Sequence, residues 1–428
     1  MKKTVSYIFC ITATLCIAAC GKPGDNDGGN SDNGAAVEET RLQKKSAKRG
    51  VSFNFNSLPE IDLPLLGPVI SWSYNWGMAV SDAANEGFKK YALDYCPMTW
   101  NDNWSVATLS SVAAKTSAEY LLAFNEPNLT DQANMTPEKA AGHWPAVLEA
   151  ARANNLKIIA PAMNYGTLAG YNDPWKWLDE FFAQPGVSLD DVDGIAVHCY
   201  MGSAGAVMNY IDGFRKYGKP IWLTEFCNWV NKNVSADAQM KYMVETINAL
   251  EAEDAVFRYA WFIPRGNGEA ECHNSLLTSR KPFELTPLGK VFVNMSSWDE
   301  NLWYSPSDVI PAEHYNSCSG ALHLQPTTDK GGELELTDLK NGVSASWQIE
   351  IPSAGAYSLE LRYSTYYESA AKILVDGMET GELSFRNTER KWDDLVYEGL
   401  VLEQGRHTLT IEGASSFPVS LNYLILNK

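Results

Sequence analysis

LLAFNEPNLT, residues 121–130, sets an asparagine, a carboxylate and a proline directly after a short apolar run. Residues 121–124 have the length and composition of a buried strand, and Pro127 bars simple continuation of that strand or an immediate regular helix. A second stretch, IWLTEFCNW at 221–229, brings Glu225 to the end of an apolar strand in the same way. Both glutamates are therefore expected where strands give out at a rim.

Working outward from these two, residues 50–300 alternate short apolar runs with helical patterns. Strands are predicted near 51–55, 68–72, 91–96, 119–124, 157–161, 192–198, 220–225 and 256–261, and the best helices at 136–153, 175–183, 207–217 and 235–250. The first of these helices opens on Thr136, Pro137 and Glu138, a cap followed by a proline suited to the first turn. Eight parallel strands with helices between them in about 250 residues match a (β/α)8 TIM barrel, an open sheet of the same elements being the alternative. Segment 56–67 is too short for a helix of ordinary length, so helical cladding is expected to be thin there. From about 305 the texture changes to alternating strands such as SASWQIEI (344–351) and RHTLTIEG (406–413), separated by turn residues. An all-β jelly-roll sandwich is predicted for 305–428, after an α/β domain at 50–304.

The front of the chain reads as an export signal. Lys2 and Lys3 precede a largely apolar stretch that closes on Ile17-Ala18-Ala19-Cys20, the arrangement of a bacterial lipoprotein signal with residues 1–19 removed and Cys20 acylated. Residues 20–49 hold little to bury and read as a flexible linker. The expected product is an exported lipoprotein, anchored to the outer membrane, facing the periplasm or the cell surface, and monomeric. A formal net charge of -18 excludes a nucleic-acid surface. Of eight cysteines, five lie beyond Cys20, namely Cys96, Cys199, Cys227, Cys272 and Cys318, an odd number. No short metal-ligand spacing joins them, and no cofactor is expected for catalysis.

Eleven of the fourteen tryptophans fall between Trp72 and Trp298, several where elements should end, and rings at strand ends are what a groove uses to stack sugars. In a barrel, Glu126 after the fourth strand and Glu225 on the seventh face each other across the C-terminal rim. Two carboxylates flanking a glycosidic bond are the minimum for cleaving it: one protonates the leaving oxygen, the other attacks or activates water. Mutual repulsion and partial burial are expected to raise the pKa of the acid. Asn125 is expected to bond a sugar hydroxyl, His198 and Tyr200 to reach Glu225 or the substrate, and Trp261 to form the floor under the sugar. Trp72, Asn75, Trp76 and Trp229 complete the expected sugar-binding set.

These stretches resemble glycoside hydrolase family 128, which includes endo-acting β-1,3-glucanases. The likeness runs through WSYNW (72–76), AFNEPNLTDQANMTPEKAAGHWP (123–145), PAMN (161–164), DGIAVHCY (193–200) and KPIWLTEFCNW (219–229). It implies Glu126 as acid/base, Glu225 as nucleophile, a retaining mechanism and a β-1,3-glucan substrate of the laminarin or curdlan type. Other readings are the same chemistry on mixed-linkage or β-1,6-glucan, and a noncatalytic glycan-binding lipoprotein. The tail resembles carbohydrate-binding module family 6 through IPAEHY (310–315), ILVDG (373–377), the position of Trp392 and LEQGRHTLTIEG (402–413). That resemblance implies a structural calcium near Glu313 and residue 422. Asn422 stands where the family has an aspartate, and Ser420 where it has an asparagine that touches sugar, which weakens both sites.

Overall fold

Side-chain alternation along eight short parallel strands sets the architecture of the first domain. The computed structural model describes residues 43–116, 118–230, 233–266 and 272–428. The expected signal segment, Cys20 and most of the linker lie outside the described residues. The strands are β1 (Arg49–Ser52), β2 (Trp72–Tyr74), β3 (Asp94–Tyr95), β4 (Tyr120–Leu122), β5 (Lys157–Ile159), β6 (Ile195–Cys199), β7 (Ile221–Phe226) and β8 (Val256–Trp261). Between and after them come α1 (Pro59–Leu66), α2 (Asp82–Lys90), α3 (Val106–Thr116), α4 (Pro137–Ala153), α5 (Pro174–Phe182), α6 (Ala204–Asp212), α7 (Ala236–Ala252) and α8 (Pro287–Asn294). Six strands form one parallel sheet in the order β3-β2-β1-β8-β7-β6, and β4 pairs with β5. Single parallel bridges, Met98 with Leu122 and Ile159 with Gly194, link the pair to either side of the larger sheet. The result is a barrel-like core with flanking helices.

Side chains of Ser81, Thr136, Asp173, Ser203, Ser235 and Thr286 cap α2, α4, α5, α6, α7 and α8, each satisfying a backbone N–H that a helix start leaves open. Segment 56–67 does make a helix, α1, of eight residues. The helix predicted over 207–217 ends early. Gly213 lies against the Trp175 ring, where a Cβ would come within 2.6 Å, and a separate 3-10 turn follows at Arg215–Tyr217.

The inward side of the strands carries its own cluster, including Trp72, Tyr74, Tyr120, Leu122, Ile159, Ala196, Trp222 and Ala260. At its base the Arg258 guanidinium stands 4.9 Å from the Trp222 ring centre and 5.0 Å from that of Tyr120, and pairs with Asp94 at 2.7 Å. Gly50 is required here, because a Cβ would meet the Trp72 indole nitrogen at 2.4 Å.

Antiparallel strands begin at β9 (Val309–Pro311), followed by β10 (Ser317–Ser319), β11 (His323–Pro326), β12 (Leu334–Leu339), β13 (Ser344–Ile351), β14 (Gly355–Ser364), β15 (Ser369–Val375), β16 (Met378–Phe385), β17 (Asp393–Leu402), β18 (Gly405–Gly413) and β19 (Val419–Asn427). They form two sheets, β10-β13-β18-β15-β16 and β11-β12-β19-β14-β17, with β9 also on β19. This sandwich packs on the first domain. The Tyr315 hydroxyl donates to Asn248 Oδ1 of α7 at 3.0 Å, Ser296 Oγ bonds the Tyr315 carbonyl, and His323 Nε2 lies 3.5 Å from both Glu245 and Asp338. Tyr304 already bridges to Ile349 of the sandwich.

Candidate active site

An open cleft of about 670 Å³ lies at the C-terminal rim, lined by Trp76, Trp100, Asn125, Glu126, Leu129, Gln132, Asn164, Tyr200, Glu225, Trp229, Phe262 and Ile263. Glu126 sits four residues beyond the end of β4 with φ 45°, and Trp76, two beyond β2, has φ 60°. For non-glycine residues this left-handed backbone costs about 1–3 kcal/mol and persists where surroundings over-determine it. Around Glu126 they do. Its N–H donates to the Ala162 carbonyl, and its own carbonyl accepts from the Leu129 N–H, both at 3.0 Å.

Glu225 reaches the cleft through a break in strand parity. Trp222 points inward and Leu223 outward, so strict alternation would turn Glu225 outward with Leu223. The β7–β8 register shifts between Leu223 and Phe226, and the β6–β7 register shifts between Val197 and His198. After the shift Glu225 lines the cleft, while Phe226 packs outside against Tyr259 and Trp261. Irregularities of this kind re-aim a side chain.

The Tyr74 hydroxyl donates to Glu225 Oε1 at 2.7 Å, Trp76 Nε1 donates to the same oxygen at 2.6 Å, and the Tyr200 hydroxyl donates to Oε2. Burial, then the charge of Glu225, pushes both tyrosines well above the ordinary phenol pKa, so they stay donors. His198 Nδ1 lies 3.0 Å from Glu126 Oε1 and 3.4 Å from Glu225 Oε2, and Asn164 Nδ2 donates to Glu126 Oε1 at 3.0 Å. Burial alone would lower the His198 pKa, but the two carboxylates outweigh it and raise it. Burial would raise Glu126, yet the bond and charge of His198 with the Asn164 bond hold it below the usual carboxylate value. This corrects the expectation of a raised acid. Repulsion between the carboxylates is offset by the imidazole set between them, whose protonated form both favour.

Asn125, Glu126, Trp76, Tyr200, Trp229 and Glu225 all line the cleft as expected, and His198 lies buried behind it between the two carboxylates. Three expected sugar contacts do not. Trp72 is the bottom step of an inward ladder, Trp72, Tyr74 and Trp76, of which only the top step reaches the cleft. Trp261 faces outward, fully buried, its indole donating to the Asn274 carbonyl at 2.7 Å, and Phe262 takes the inward place. Asn75 serves the loop: its Oδ1 accepts from the Tyr95 hydroxyl at 2.5 Å and its Nδ2 donates to the Ala79 carbonyl at 2.8 Å. Period-two alternation separates neighbours that look alike in sequence. The sequence reading missed Tyr74, Trp100, Gln132, Asn164 and Phe262 as site residues. Tyr74 was open to the same parity rule, two residues before Trp76, and Asn164 closes the PAMN stretch that follows β5.

In the sandwich, Asn422 Nδ2 donates to Asp329 Oδ2 at 2.9 Å and to the Gly331 carbonyl at 3.2 Å, while Glu313 Oε1 accepts from the Leu334 N–H at 3.2 Å. Asp329 is held by both Nε and Nη2 of Arg362, at 2.8 and 2.9 Å. Among the described residues no group of three or more His, Cys, Asp and Glu side chains is placed to hold a metal ion. Asp329 is thus already neutralised by a guanidinium, and the donor set around Asn422 fits calcium poorly.

Paired carboxylates between aromatic walls are the means of glycosidic cleavage, and homology to glycoside hydrolases supports an enzyme of glycosidase type. Residues 50–292 match the family model described as Glycosyl hydrolase catalytic core, and the chain belongs to that family. An endo-β-1,3-glucanase of family GH128, subgroup II, from Pseudomonas viridiflava is 38% identical with a TM-score of 0.53, the alignment covering 58% of this chain and 98% of that one. Its counterpart from Sorangium cellulosum is 33% identical with a TM-score of 0.51, covering 57% and 97%. Alkali-sensitive linkage protein 1 of Schizosaccharomyces pombe is 29% identical over 262 residues, 58% of this chain and 45% of that protein, so the chain spans about half the length of this curated relative. Residues 318–426 match the model for carbohydrate binding module family 35, which corrects the family 6 reading. The stretches behind that reading are the β15–β16 hairpin turn, ILVDG, and the crossing from β17 in one sheet to β18 in the other, LEQGRHTLTIEG, demanded by sandwich geometry rather than by one family.

Proposed function

We propose that the protein is a retaining, endo-acting β-1,3-glucanase with Glu126 as acid/base and Glu225 as nucleophile. The observation that carries this reading is His198 Nδ1 within 3.0 Å of one carboxylate and 3.4 Å of the other. A single ring nitrogen in reach of both carboxylates favours the roughly 5–5.5 Å spacing of a retaining pair over the roughly 6.5–9.5 Å an inverting pair needs to admit water. The linkage is supported by the two bacterial GH128 enzymes of subgroup II. The ring of strands is read as a closed (β/α)8 barrel, supported by the two bridges that flank β4 and β5.

In this mechanism Glu225, fixed by Tyr74, Trp76 and Tyr200, attacks the anomeric carbon as the bond to the leaving oxygen breaks. Glu126 Oε1 is taken up by His198 and Asn164, which leaves Oε2 to deliver the proton. As Oε2 gives its proton to the leaving oxygen, the raised His198 passes its own from Nδ1 to Oε1, and takes it back when Oε2 later collects a proton from water. Glu126 then removes a proton from the water that opens the glycosyl-enzyme ester. Trp76, Trp100, Trp229 and Phe262 supply faces for successive sugar rings. The protein is further proposed to act as a monomeric exported lipoprotein, held through Cys20.

The test is product analysis on curdlan, laminarin, lichenan and pustulan. Laminari-oligosaccharides from curdlan and laminarin, first seen as the β-anomer by NMR, are expected. Cleavage of pustulan or lichenan instead overturns the linkage, and no product from any of the four overturns the enzymatic reading.

A further inference from the structure

We propose that Cys227 and Cys272 form a disulfide that ties together two segments supporting one wall of the catalytic cleft. Cys227 directly follows β7, and both side chains are buried. Asn274 Nδ2, two residues beyond Cys272, reaches Cys227 Sγ at 3.7 Å, which sets the two cysteines close to one another. Gln239 of α7, wholly buried, clamps both segments: its Oε1 accepts from the Asn228 N–H at 3.0 Å, and its Nε2 donates to the carbonyls of Asn228 at 3.0 Å and Cys272 at 2.6 Å. A disulfide needs its Cα atoms roughly 4.4–6.8 Å apart. Cysteines on backbones that share one clamp, with Asn274 of one segment on the sulfur of the other, need little movement to close one.

The bridge would brace one wall of the cleft through two neighbouring rings. Trp229, two residues beyond Cys227, lines one wall. Asn274, two beyond Cys272, donates from Nδ2 to the Phe262 carbonyl at 2.9 Å and to Cys227 Sγ at 3.7 Å, and the Phe262 ring lies beside Trp229 in the cleft lining, with ring centres 5.9 Å apart. Cys96 lies at the base of the strands, Cys199 on β6 and Cys318 on β10, so the odd cysteine count of the sequence resolves into one pair and three thiols.

The oxidant is a small-molecule or protein disulfide, RSSR. One cysteine thiolate attacks RSSR and releases RS⁻, leaving a mixed disulfide. The second attacks the protein sulfur and releases the other RS⁻, so two cysteines are oxidised and RSSR is reduced to two RSH. Burial, then the neighbouring thiol, pushes Cys227 well above its usual pKa, so the exchange belongs to folding, before the segment is covered.

The experiment is to refold the full-length chain from the reduced, denatured state in a buffer of reduced and oxidised glutathione, then alkylate and map peptides without reduction. The expected result is a peptide linking Cys227 to Cys272, lighter by two hydrogens than its parts. In the wild type, reductant is expected to lower Tm by about 3–8 °C, since the bridge closes a loop of about 45 residues, and to leave the Tm of Cys272→Ala unchanged. Full alkylation of both cysteines in folded protein, a glutathione adduct stalled on either, or a link to any other cysteine overturns the proposal. The glutathione supplies the oxidant, so the outcome is independent of export, and glucan hydrolysis is assayed separately.

Discussion

His198 and Glu225 are paired positions on neighbouring strands, and the same His198 nitrogen that stands 3.4 Å from Glu225 Oε2 stands 3.0 Å from Glu126 Oε1. One ring thus stands between two carboxylates that would otherwise repel, and both favour its protonated form. His198→Gln keeps a polar side chain and removes that protonated form, so Glu126 should rise under the burial that His198 now outweighs. Activity against glucan should fall about 10²-fold, and the alkaline limb of the kcat/KM profile should move to lower pH, because the proton would no longer be stored on a raised imidazole. The stability signs follow from linkage. The raised His198 contributes stability that is fully present below about pH 6.5 and is lost as pH rises through its higher folded value. The depressed Glu126 contributes above about pH 4.5 and loses its share as pH falls through its lower folded value. An unmoved alkaline limb would show that the histidine proton is not used.

Arg258 tests the base of the strands separately from the chemistry. Its guanidinium is packed by Trp222 and Tyr120 and pairs with Asp94, whose pKa burial raises even against that pairing. Arg258→Met leaves the carboxylate buried without its partner and should cost about 3–5 kcal/mol in urea unfolding. The deficit should shrink toward low pH as Asp94 protonates, with kcat unchanged. A deficit below about 1 kcal/mol at neutral pH would mean that water already reaches Asp94.

The eight strands were legible because each is an apolar run bounded by turns, and Glu126 and Glu225 because they stand at the ends of such runs. What could not be read was parity near the rim. Glu225 and Phe226 exchange sides at a register shift set by hydrogen bonds to β6 and β8, which no local pattern announces. Trp261 and Phe262 form an aromatic pair whose inward member depends on counting from the true strand start. Segment 56–67 reads as too short for a helix of ordinary length, and α1 fits there by running only eight residues. In the sandwich, alternation gave the strands, but the same alternation is shared by many sandwiches and so misled the choice of family.

Removal of the sandwich should separate stability from catalysis. Every residue lining the cleft precedes position 264, yet Tyr315 is fully buried with its hydroxyl on Asn248, and His323 sits against Glu245. The chain ending at residue 303 should lose soluble yield and several degrees of Tm, while its folded fraction keeps kcat on a soluble laminari-oligosaccharide within about twofold. Folded but inactive protein would place part of the site in the sandwich.

Cys20→Ser tests the proposed anchor. A hydroxyl at that position cannot accept the lipid, so the variant should move from the membrane fraction to the soluble or released fraction, as followed by fractionation and immunoblot. Retention of the variant in membranes would assign the anchoring to another segment.

The roles of the two carboxylates separate through their dependence on the leaving group. Glu225→Ala should abolish turnover of every substrate, because no glycosyl-enzyme ester can form. Glu126→Ala should be far less damaging on an aryl glycoside with an acidic phenol than on laminarin, since only a sugar alkoxide needs a proton as it leaves. Azide then distinguishes them by stereochemistry. In Glu225→Ala it fills the space of the nucleophile and should give the inverted α-azide. In Glu126→Ala it attacks the intermediate already formed on Glu225 and should give the β-azide. Tyr74, Trp76 and Tyr200 all donate to Glu225 and none of the three to Glu126, which is the arrangement expected of a nucleophile that must be aimed. Anomers found the other way round would exchange the two roles, and azide products from neither variant would remove the double displacement itself.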